Sequence, residues 1–583
     1  MFPIEFDFIV RNKLSKYNEI ARRFQIHSKG GVTLFTQVYT PVFGSLGWSA
    51  LVALIPILFF FWALAVRRMK GHVAAALTVV LAILDAWLVF RMPVDKALSA
   101  TIHGMLTGIW PIGWIVFTAV FLFRITERTG YFDIIRRSIS SITDDRRIQA
   151  LLIAFSFGAF LEGTAGFGTP VAVAASMLAG LGFDPLYAAG ICLLANTAPV
   201  AFGAVGIPIT AMAASAHADA LLISQMVGRI LPFASILVPF WLMVVMSGWK
   251  GMKEVWPAAL TCGLSFAITQ FLVSNFIGPE LPDILAAIVS IVCLIILLRF
   301  WQPKQIWRFK GEASAAEMAA TRERGAETKL TGRQVFHAWS PFLVLCVMII
   351  LWALPAVKNV LSKATIIFNW PDLNKLVAQT APIVAKTTPM AVTYKFDILA
   401  ATGTSILIAC VIAMFICGQS FSDWLRTFAD NLRDLRYPLL TIALVVGFGD
   451  LFNYSGMSAT MAMALAATGV LFPFFSPFLG WIGVFLTGSD TSSNLLFGGL
   501  QKLTAQQLHL SPYLTMGANS SGGVMGKMIS PQSIAVGASA TGLVGREGDL
   551  YRFTLKHSIA LVIFIALITS VYAYIFPGAI PQG

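Results

Sequence analysis

The chain has 583 residues, of which 57% are hydrophobic and only 12% are charged, and its net charge is +13. Soluble globular proteins carry about 25% charged residues, so this composition excludes an ordinary soluble domain and predicts a protein that is buried in lipid. The positive charge would also fit nucleic-acid binding, but the lysines and arginines cluster in a few connections rather than on one face of a soluble domain. Such clusters are typical of cytoplasmic loops, and no nucleic-acid partner is predicted.

In chain order, residues 1–35 form an N-terminal extension that has basic residues but no apolar core, so no cleavable signal peptide is predicted. A first membrane half follows over residues 36–298. The basic turn at Arg67 is predicted to be cytoplasmic, which places the N-terminus outside. Residues 299–337, rich in Ala, Glu and Arg, are interpreted as a cytoplasmic linker, and residues 338–583 as a second membrane half. The fold class is therefore an all-α polytopic membrane protein with about twelve membrane segments.

Each half contains two stretches whose composition does not fit an ordinary membrane span. They are Phe160–Pro170 and Ala195–Pro208 in the first half, and Phe485–Asn494 and Ala518–Pro531 in the second. Gly, Pro, Ser, Thr and Asn concentrate there. Irregular backbone is tolerated at membrane depth only where it is buried in protein or lines a cavity. Each half is therefore predicted to hold a re-entrant hairpin and a broken helix.

The two halves also resemble each other. Phe160–Gly163 aligns with Phe485–Gly488, and Ala195–Thr197 aligns with Ala518–Ser520 at almost the same spacing. This indicates an internal repeat, and interrupted segments at corresponding positions of two halves point to the binding site of a secondary transporter. We expect the halves to be inverted, because that arrangement suits alternating access.

Three charged residues lie inside these breaks. A charge at the bilayer centre costs about 2.5–3.5 kcal/mol and is a functional hypothesis by default. Glu162 and Asp490 are predicted proton-coupling groups, and Lys527 is predicted to bind an anionic substrate together with the N-termini of half-helices. The alternative is a permanent ion pair, for instance between Glu162 and Lys527, that only holds the halves together.

Polar side chains in the same stretches are candidate ligands for a carboxylate or hydroxyl group, or else cap their own broken backbone. The predicted substrate-binding residues are Thr164, Asn196, Thr197, Ser489, Thr491, Ser492, Asn519, Ser520, Ser521 and Lys527.

No motif of an enzyme, a nucleotide site or a metal site is recognised, so neither catalysis nor a cofactor is predicted. The alternatives to a proton-coupled transporter are a sodium-coupled carboxylate symporter, since Asn, Ser and Thr at helix breaks also bind sodium, and, from other classes, a channel or a membrane sensor.

Several motifs resemble the L-lactate permease family, and its glycolate permease branch most closely. They are Leu161–Gly168, Leu186–Gly190, Asn196–Gly203, Asn275–Asp283, Phe485–Asn494, Gly526–Ser533 and Phe553–His557. The resemblance runs from about Thr36 to Pro577 and does not cover the N-terminal extension. It implies a multi-pass symporter of the bacterial inner membrane that carries glycolate, L-lactate or D-lactate with a proton.

Overall fold

A computed structural model describes residues 34–67, 69–166, 169–309, 330–384, 386–543 and 546–582. These residues are mainly helical, which confirms the all-α polytopic fold class. Within these described residues, ten helical stretches are long and apolar enough to cross a membrane, and a pair bent by 65° gives an eleventh. The predicted number of about twelve is approached but not confirmed, because Thr169–Gly180 and Met457–Ala466 form helices too short to span a bilayer.

Thirteen described helices precede the central linker. They are α1 (Leu46–Phe61), α2 (Gly71–Leu88), α3 (Val94–Thr107), α4 (Trp114–Arg128), α5 (Tyr131–Ser140), α6 (Arg146–Ala150), α7 (Gly158–Thr164), α8 (Thr169–Gly180), α9 (Pro185–Ala195), α10 (Gly203–Ala216), α11 (Ala220–Glu254), α12 (Trp256–Phe276) and α13 (Pro282–Phe300). Wider π-helical turns at Trp62–Val66, Gly108–Gly113 and Leu151–Phe157 extend or join them.

Ten described helices follow the linker. They are α14 (Gly332–Ala353), α15 (Pro355–Leu361), α16 (Thr402–Ile416), α17 (Phe421–Ser455), α18 (Met457–Ala466), α19 (Phe472–Thr487), α20 (Asp490–Gln507), α21 (Pro512–Lys527), α22 (Pro531–Ala540) and α23 (Glu547–Tyr574). Short 3₁₀ turns lie at Val200–Phe202, Ser362–Ala364, Gly469–Leu471 and Pro577–Ala579.

The long loop between α15 and α16 folds into small sheets. The strands are β1 (Phe35–Thr36), β2 (Ile366–Asn369), β3 (Val377–Gln379), β4 (Thr388–Pro389) and β5 (Thr393–Phe396). β1 pairs in parallel with β3, β3 pairs antiparallel with β4, and β2 pairs antiparallel with β5. This region contacts α3. The Nε1 of Trp370, which directly follows β2, donates to the Oγ of Ser99 in α3 at 2.9 Å.

All three predicted domain boundaries fall inside a strand or a helix. Residues 1–33 of the predicted extension and 310–329 of the predicted linker lie outside the described residues. Phe35 already belongs to β1, α13 continues to Phe300, and α14 begins at Gly332. Residues 299–300 and 332–337 of the predicted linker are therefore helical, whereas residues 301–309 are not, and the division into two halves stays a prediction.

The irregular stretches build the interior of the protein. We call α6 to α8 the first hairpin, α9 with α10 the first broken helix, α19 with α20 the second hairpin, and α21 with α22 the second broken helix. The described residues from Asp145 to Gly166 are all buried, and so are those from Leu514 to Ser530, whereas α1 and α2 keep Trp48, Leu51 and Trp87 exposed. Exposed apolar side chains on the outer helices are what a lipid-facing surface requires.

The bases of the two hairpins lie at opposite ends of α11. At the first hairpin, the Nη1 of Arg147 donates to the carboxylate of Glu254 at 2.8 Å, at the end of α11. At the second, the Nζ of Lys502 donates to the carbonyl oxygens of Ala216 and His217 at 2.8 Å, just before α11 begins. The hairpins therefore enter the protein from opposite sides.

Candidate functional site

The hairpins and broken helices meet at one cavity. It holds about 60 Å³ of water-accessible space. A water needs about 10–15 Å³ measured in this way, so the cavity has room for a molecule of a few non-hydrogen atoms. The lining residues are Glu162, Gly166, Val200, Gly203, Ala204, Pro208, Gly488, Ser489, Asp490, Thr491, Lys527, Gln532, Ser533 and Val536.

A buried ion pair forms part of the cavity wall. The Nζ of Lys527, at the end of α21, donates to the Oε1 of Glu162, in α7, at 2.8 Å. The other carboxylate oxygen of Glu162 accepts a hydrogen bond from the Nδ2 of Asn196 at 3.0 Å. The structure therefore brings together three predicted site residues, in the ion-pair arrangement that the sequence left open as an alternative.

Asp490 begins α20 on the same cavity. Its Oδ2 accepts hydrogen bonds from the Oγ of Ser520 at 2.7 Å and from the Nδ2 of Asn494 at 3.0 Å. Its Oδ1 is buried and has no hydrogen-bond partner among the described residues. Asn494 also donates to the carbonyl oxygen of Pro208 at 3.2 Å, which ties the second hairpin to the first broken helix.

Asn519, in α21, is held by hydrogen bonds of its side-chain amide. Its Nδ2 donates to the Oδ1 of Asn494 at 3.0 Å, and its Oδ1 accepts from the Nε2 of Gln501 at 3.1 Å. The side-chain Oε1 of Gln501 in turn accepts from the Oγ of Ser476 at 2.8 Å. Buried polar networks of this kind fix one arrangement of the helices when their members are satisfied.

Several predicted residues contact the backbone instead of the cavity. The hydroxyls of Thr164 and Thr197 donate to Phe160 at 2.9 Å and to Leu194 at 2.7 Å, within their own turns. Ser489 lines the cavity but also caps α20, accepting from the backbone N–H of Ser492 at 3.2 Å. The hydroxyl of Ser521 is buried without a partner among the described residues.

The first broken helix has an unusual backbone where it meets the cavity. Ala204, Val205 and Gly206 all have positive φ angles of 46°, 59° and 72°. A β-branched residue in this region is a genuine outlier, and such strain clusters at binding sites and switch regions. Pro279 and Glu280 pack directly against Gly206 and leave no room for a side chain there.

Two helices start at the cavity, with the positive ends of their dipoles on its wall. α20 begins at Asp490, and α22 begins at Pro531 after the cap Ser530, so that Gln532 and Ser533 line the cavity from its first turn. Helix N-termini attract anions through the helix dipole and their unpaired N–H groups. Together with Lys527, they make this wall suited to a carboxylate.

Sequence reasoning missed Gln532, Ser533 and Asp283. Gln532 and Ser533 follow the second break within the Gly526–Ser533 motif, and their position at the start of a half-helix could have identified them. Asp283 ends the Asn275–Asp283 motif and is buried beside Glu162. Among the described residues, no group of three His, Cys, Asp or Glu side chains is arranged to hold a metal ion.

Comparison with known proteins gives a consistent result. The sequence model of the L-lactate permease family matches residues 49–576. The chain is 53% identical to the L-lactate permease of Bacillus subtilis (strain 168) over 94% of this chain and all of the relative. It is 54% identical to the glycolate permease GlcA of Escherichia coli (strain K12), covering 93% of this chain and 99% of the relative. It is also 50% identical to the L-lactate permease of Escherichia coli (strain K12) over 94% of this chain and the whole relative.

Solved structures with a related shape are more distant. The YdaH transporter of Alcanivorax borkumensis aligns over 81% of this chain and 87% of its own with a TM-score of 0.42 and 14% identity. MtrF of Neisseria gonorrhoeae aligns over 82% of this chain and 84% of its own with a TM-score of 0.45 and 14% identity.

Proposed function

The chain belongs to the L-lactate permease family, and from that membership we propose that it imports small 2-hydroxy monocarboxylates together with a proton across the bacterial inner membrane. It is a multi-pass permease of lactate or glycolate and not an enzyme. The proposed substrates are glycolate, L-lactate and D-lactate, because relatives named for lactate and for glycolate are about equally similar to it.

The ion pair of Lys527 with Glu162 is the observation that supports proton coupling. Both side chains line the cavity, and no other carboxylate lies within ion-pair distance of Lys527 in the described residues. A substrate carboxylate that enters the cavity therefore competes with Glu162 for the same ammonium group. Protonation of Glu162 removes its negative charge and releases Lys527 for the substrate.

This competition links the two cargoes. Without substrate, Lys527 is neutralised by ionised Glu162. With substrate, Lys527 is neutralised by the substrate carboxylate while Glu162 is protonated. The charge of the site is the same in both states, so its movement across the membrane avoids the cost of an unpaired buried charge. A proton and a monocarboxylate then cross together with no net charge.

The rest of the cavity would orient the substrate. Its carboxylate would lie between Lys527 and the first turn of α22, which is where the positive end of that helix dipole points. Its hydroxyl would bond to Ser489, Thr491 or Ser533 on the facing wall. The small size of the cavity favours short monocarboxylates over larger dicarboxylates.

The hairpins provide a route for alternating access. Their bases lie at opposite ends of α11, and their tips meet at the cavity. Loosening one hairpin would open the site to one side of the membrane while the other hairpin keeps it closed to the opposite side. This is the behaviour expected of inverted halves in a secondary transporter.

Uptake by the purified protein in liposomes tests the proposal. Labelled glycolate or lactate should accumulate when the outside is acidic relative to the inside, and a protonophore should abolish accumulation. Replacement of sodium by potassium at fixed pH should have no effect. Accumulation that follows the sodium gradient instead would show a sodium-coupled symporter and contradict the role given to Glu162.

A further inference from the structure

Asp283 is a further buried acid near the ion pair of Lys527 with Glu162. It has no part in the proposed competition between Glu162 and a substrate carboxylate for Lys527. It lies in the first turn of α13 and is 1% exposed. Neither carboxyl oxygen has a hydrogen-bond partner among the described residues. Nearly all buried polar groups in proteins are paired, so an unpaired carboxyl needs a specific explanation.

The first hairpin rests directly on Asp283. A Cβ added to Gly163 would lie 2.9 Å from the Cβ of Asp283 and 2.9 Å from the Cγ1 of Ile284. The hairpin can approach α13 so closely because residue 163 has no side chain. The backbone next to Glu162 is thereby held against Asp283, and the two carboxyls are close enough to interact electrostatically.

Three polar groups from three different elements act on Asp283. The first hairpin contributes Glu162, α21 contributes Lys527, and α12 contributes the amide of Gln270. The Nε2 of Gln270 donates to the carbonyl oxygen of Ala198 at 3.2 Å, and its Oε1 accepts from Ser235 at 2.8 Å. Lys527, the only cation of this set, is bound to Glu162.

The charges of the three ionisable groups determine which of them is protonated. The carboxyls of Glu162 and Asp283 share one ammonium group, that of Lys527, and this ammonium group is in contact with Glu162. An ionised Asp283 would be a buried charge with no cation in contact and with another carboxylate nearby, which is an unfavourable state for such a group. A proton held between the two acids would therefore lie on Asp283, which has no ammonium group in contact with it among the described residues.

We propose that Asp283 is a second proton-binding residue of the transport cycle, which supplies Glu162 with a proton as a substrate carboxylate takes Lys527. The O–H bond on Asp283 breaks, an O–H bond forms on Glu162, and the carboxylate left on Asp283 binds the incoming coupling proton from water. The inference rests on the proposed function and extends it from one acid to a coupled pair.

Liposome transport by Asp283→Asn tests the inference. Asn keeps the size and neutrality of a protonated Asp but cannot release a proton. Proton-driven accumulation of labelled lactate should fall about tenfold or more, while exchange of external labelled lactate for internal unlabelled lactate at equal pH should persist, because exchange requires no net proton movement. The matched control is Asp85→Asn, which changes another buried carboxyl without hydrogen-bond partners, in α2. It should leave both activities unchanged.

Each result decides between the alternatives. If Asp283→Asn accumulates lactate with the same pH profile as the parent, Asp283 is only a buried neutral side chain and the inference is wrong. If Asp283→Asn does not fold, Asp283→Glu decides: a displaced pH profile of proton-driven uptake supports the pair, and an unchanged profile overturns it. If the parent itself shows no response to a proton gradient, the proposed function fails, whatever the variants do.

Discussion

The Nζ of Lys527 lies 2.8 Å from the Oε1 of Glu162, although the two residues are 365 positions apart in the chain. Both are almost fully buried, with 8% and 3% of their surface exposed. The contact joins the first hairpin to the second broken helix across the cavity. Because each charge neutralises the other away from bulk water, changes at either residue should affect both stability and transport.

Substitution of Glu162 by Gln should uncouple substrate binding from protons. Since Gln cannot compete for Lys527, lactate should bind more tightly at neutral pH, by about tenfold, and its affinity should no longer strengthen as the pH falls. Proton-driven accumulation should be lost while lactate exchange persists. Binding titrations at several pH values and uptake into liposomes measure these effects.

Asp490→Asn is the matched comparison for Glu162→Gln, because Asp490 is the other acid on the cavity wall. It should keep the pH dependence of binding, because the amide oxygen of Asn can still accept the hydrogen bonds of Ser520 and Asn494. The reverse result, with pH dependence lost in Asp490→Asn and retained in Glu162→Gln, would transfer the proton-coupling role to Asp490.

Substitution of Lys527 by Met should destabilise the protein by about 3–5 kcal/mol, because it leaves the carboxylate of Glu162 buried without a counter-ion. Combining Lys527→Met with Glu162→Gln should restore most of the thermal stability in detergent but no lactate binding. The recovery separates the folding role of the ion pair from the role of Lys527 in holding an anion.

Lys96→Met is the control for that double substitution. Lys96 is 3% exposed, but within the described part of the chain its Nζ donates only to the carbonyl oxygen of Asp372, at 3.2 Å. Its loss should cost less stability, should not be rescued by Glu162→Gln, and should leave binding intact. Equal rescue of both lysine variants by Glu162→Gln would mean that Glu162 acts through general charge and not through its contact with Lys527.

Much of this architecture could be predicted from the sequence. The apolar segments and basic connections predicted the membrane class, and the Gly-rich stretches around Glu162 and Asp490 contain residues that line the cavity. These features are local, since composition and spacing determine them. The exact partners could not be predicted, because the contact of Lys527 with Glu162 depends on how two distant segments pack.

Asp283 shows most clearly what sequence reasoning could not reach. It follows Pro282 at the start of an apolar helix, where an acidic residue ordinarily caps the helix and faces water. Only the packing of Gly163 against it reveals that it is buried next to Glu162. Likewise, the hydroxyls of Thr164 and Thr197 could not be assigned to ligand or backbone before the turns containing them were known.

Substitution of Gly206 by Ala should disrupt the first broken helix. Its φ of 72° is strained for any residue with a side chain, which costs about 1–3 kcal/mol. An added Cβ would also overlap the carbonyl group of Pro279. We expect a lower melting temperature in detergent and weaker lactate binding. The control is Gly542→Ala, because Gly542 has the same φ of 72° but open space around it. This substitution should lower the melting temperature less and leave lactate binding unchanged. Equal effects of the two substitutions would exclude the contact with Pro279 as the cause.

The last prediction concerns the base of the first hairpin. Arg147 is fully buried; its guanidinium contacts Asp145 at 2.8 Å and Glu254 at 2.8 Å and donates to the carbonyl oxygen of Gln305 at 3.2 Å. Arg147→Met should lower the free energy of unfolding by about 3–5 kcal/mol, because it leaves the buried carboxylate of Asp145 unpaired.

Glu254 provides the contrast, because its side chain is 43% exposed and water can replace its contact with Arg147. Glu254→Gln should therefore cost at most about 1 kcal/mol. If this base acts as a hinge for alternating access, Glu254→Gln should change the rate of lactate exchange while leaving equilibrium binding unaltered. Thermal melting, exchange and binding on the same preparations measure all three quantities, and a loss of binding in Glu254→Gln would show that the base of the hairpin shapes the cavity itself.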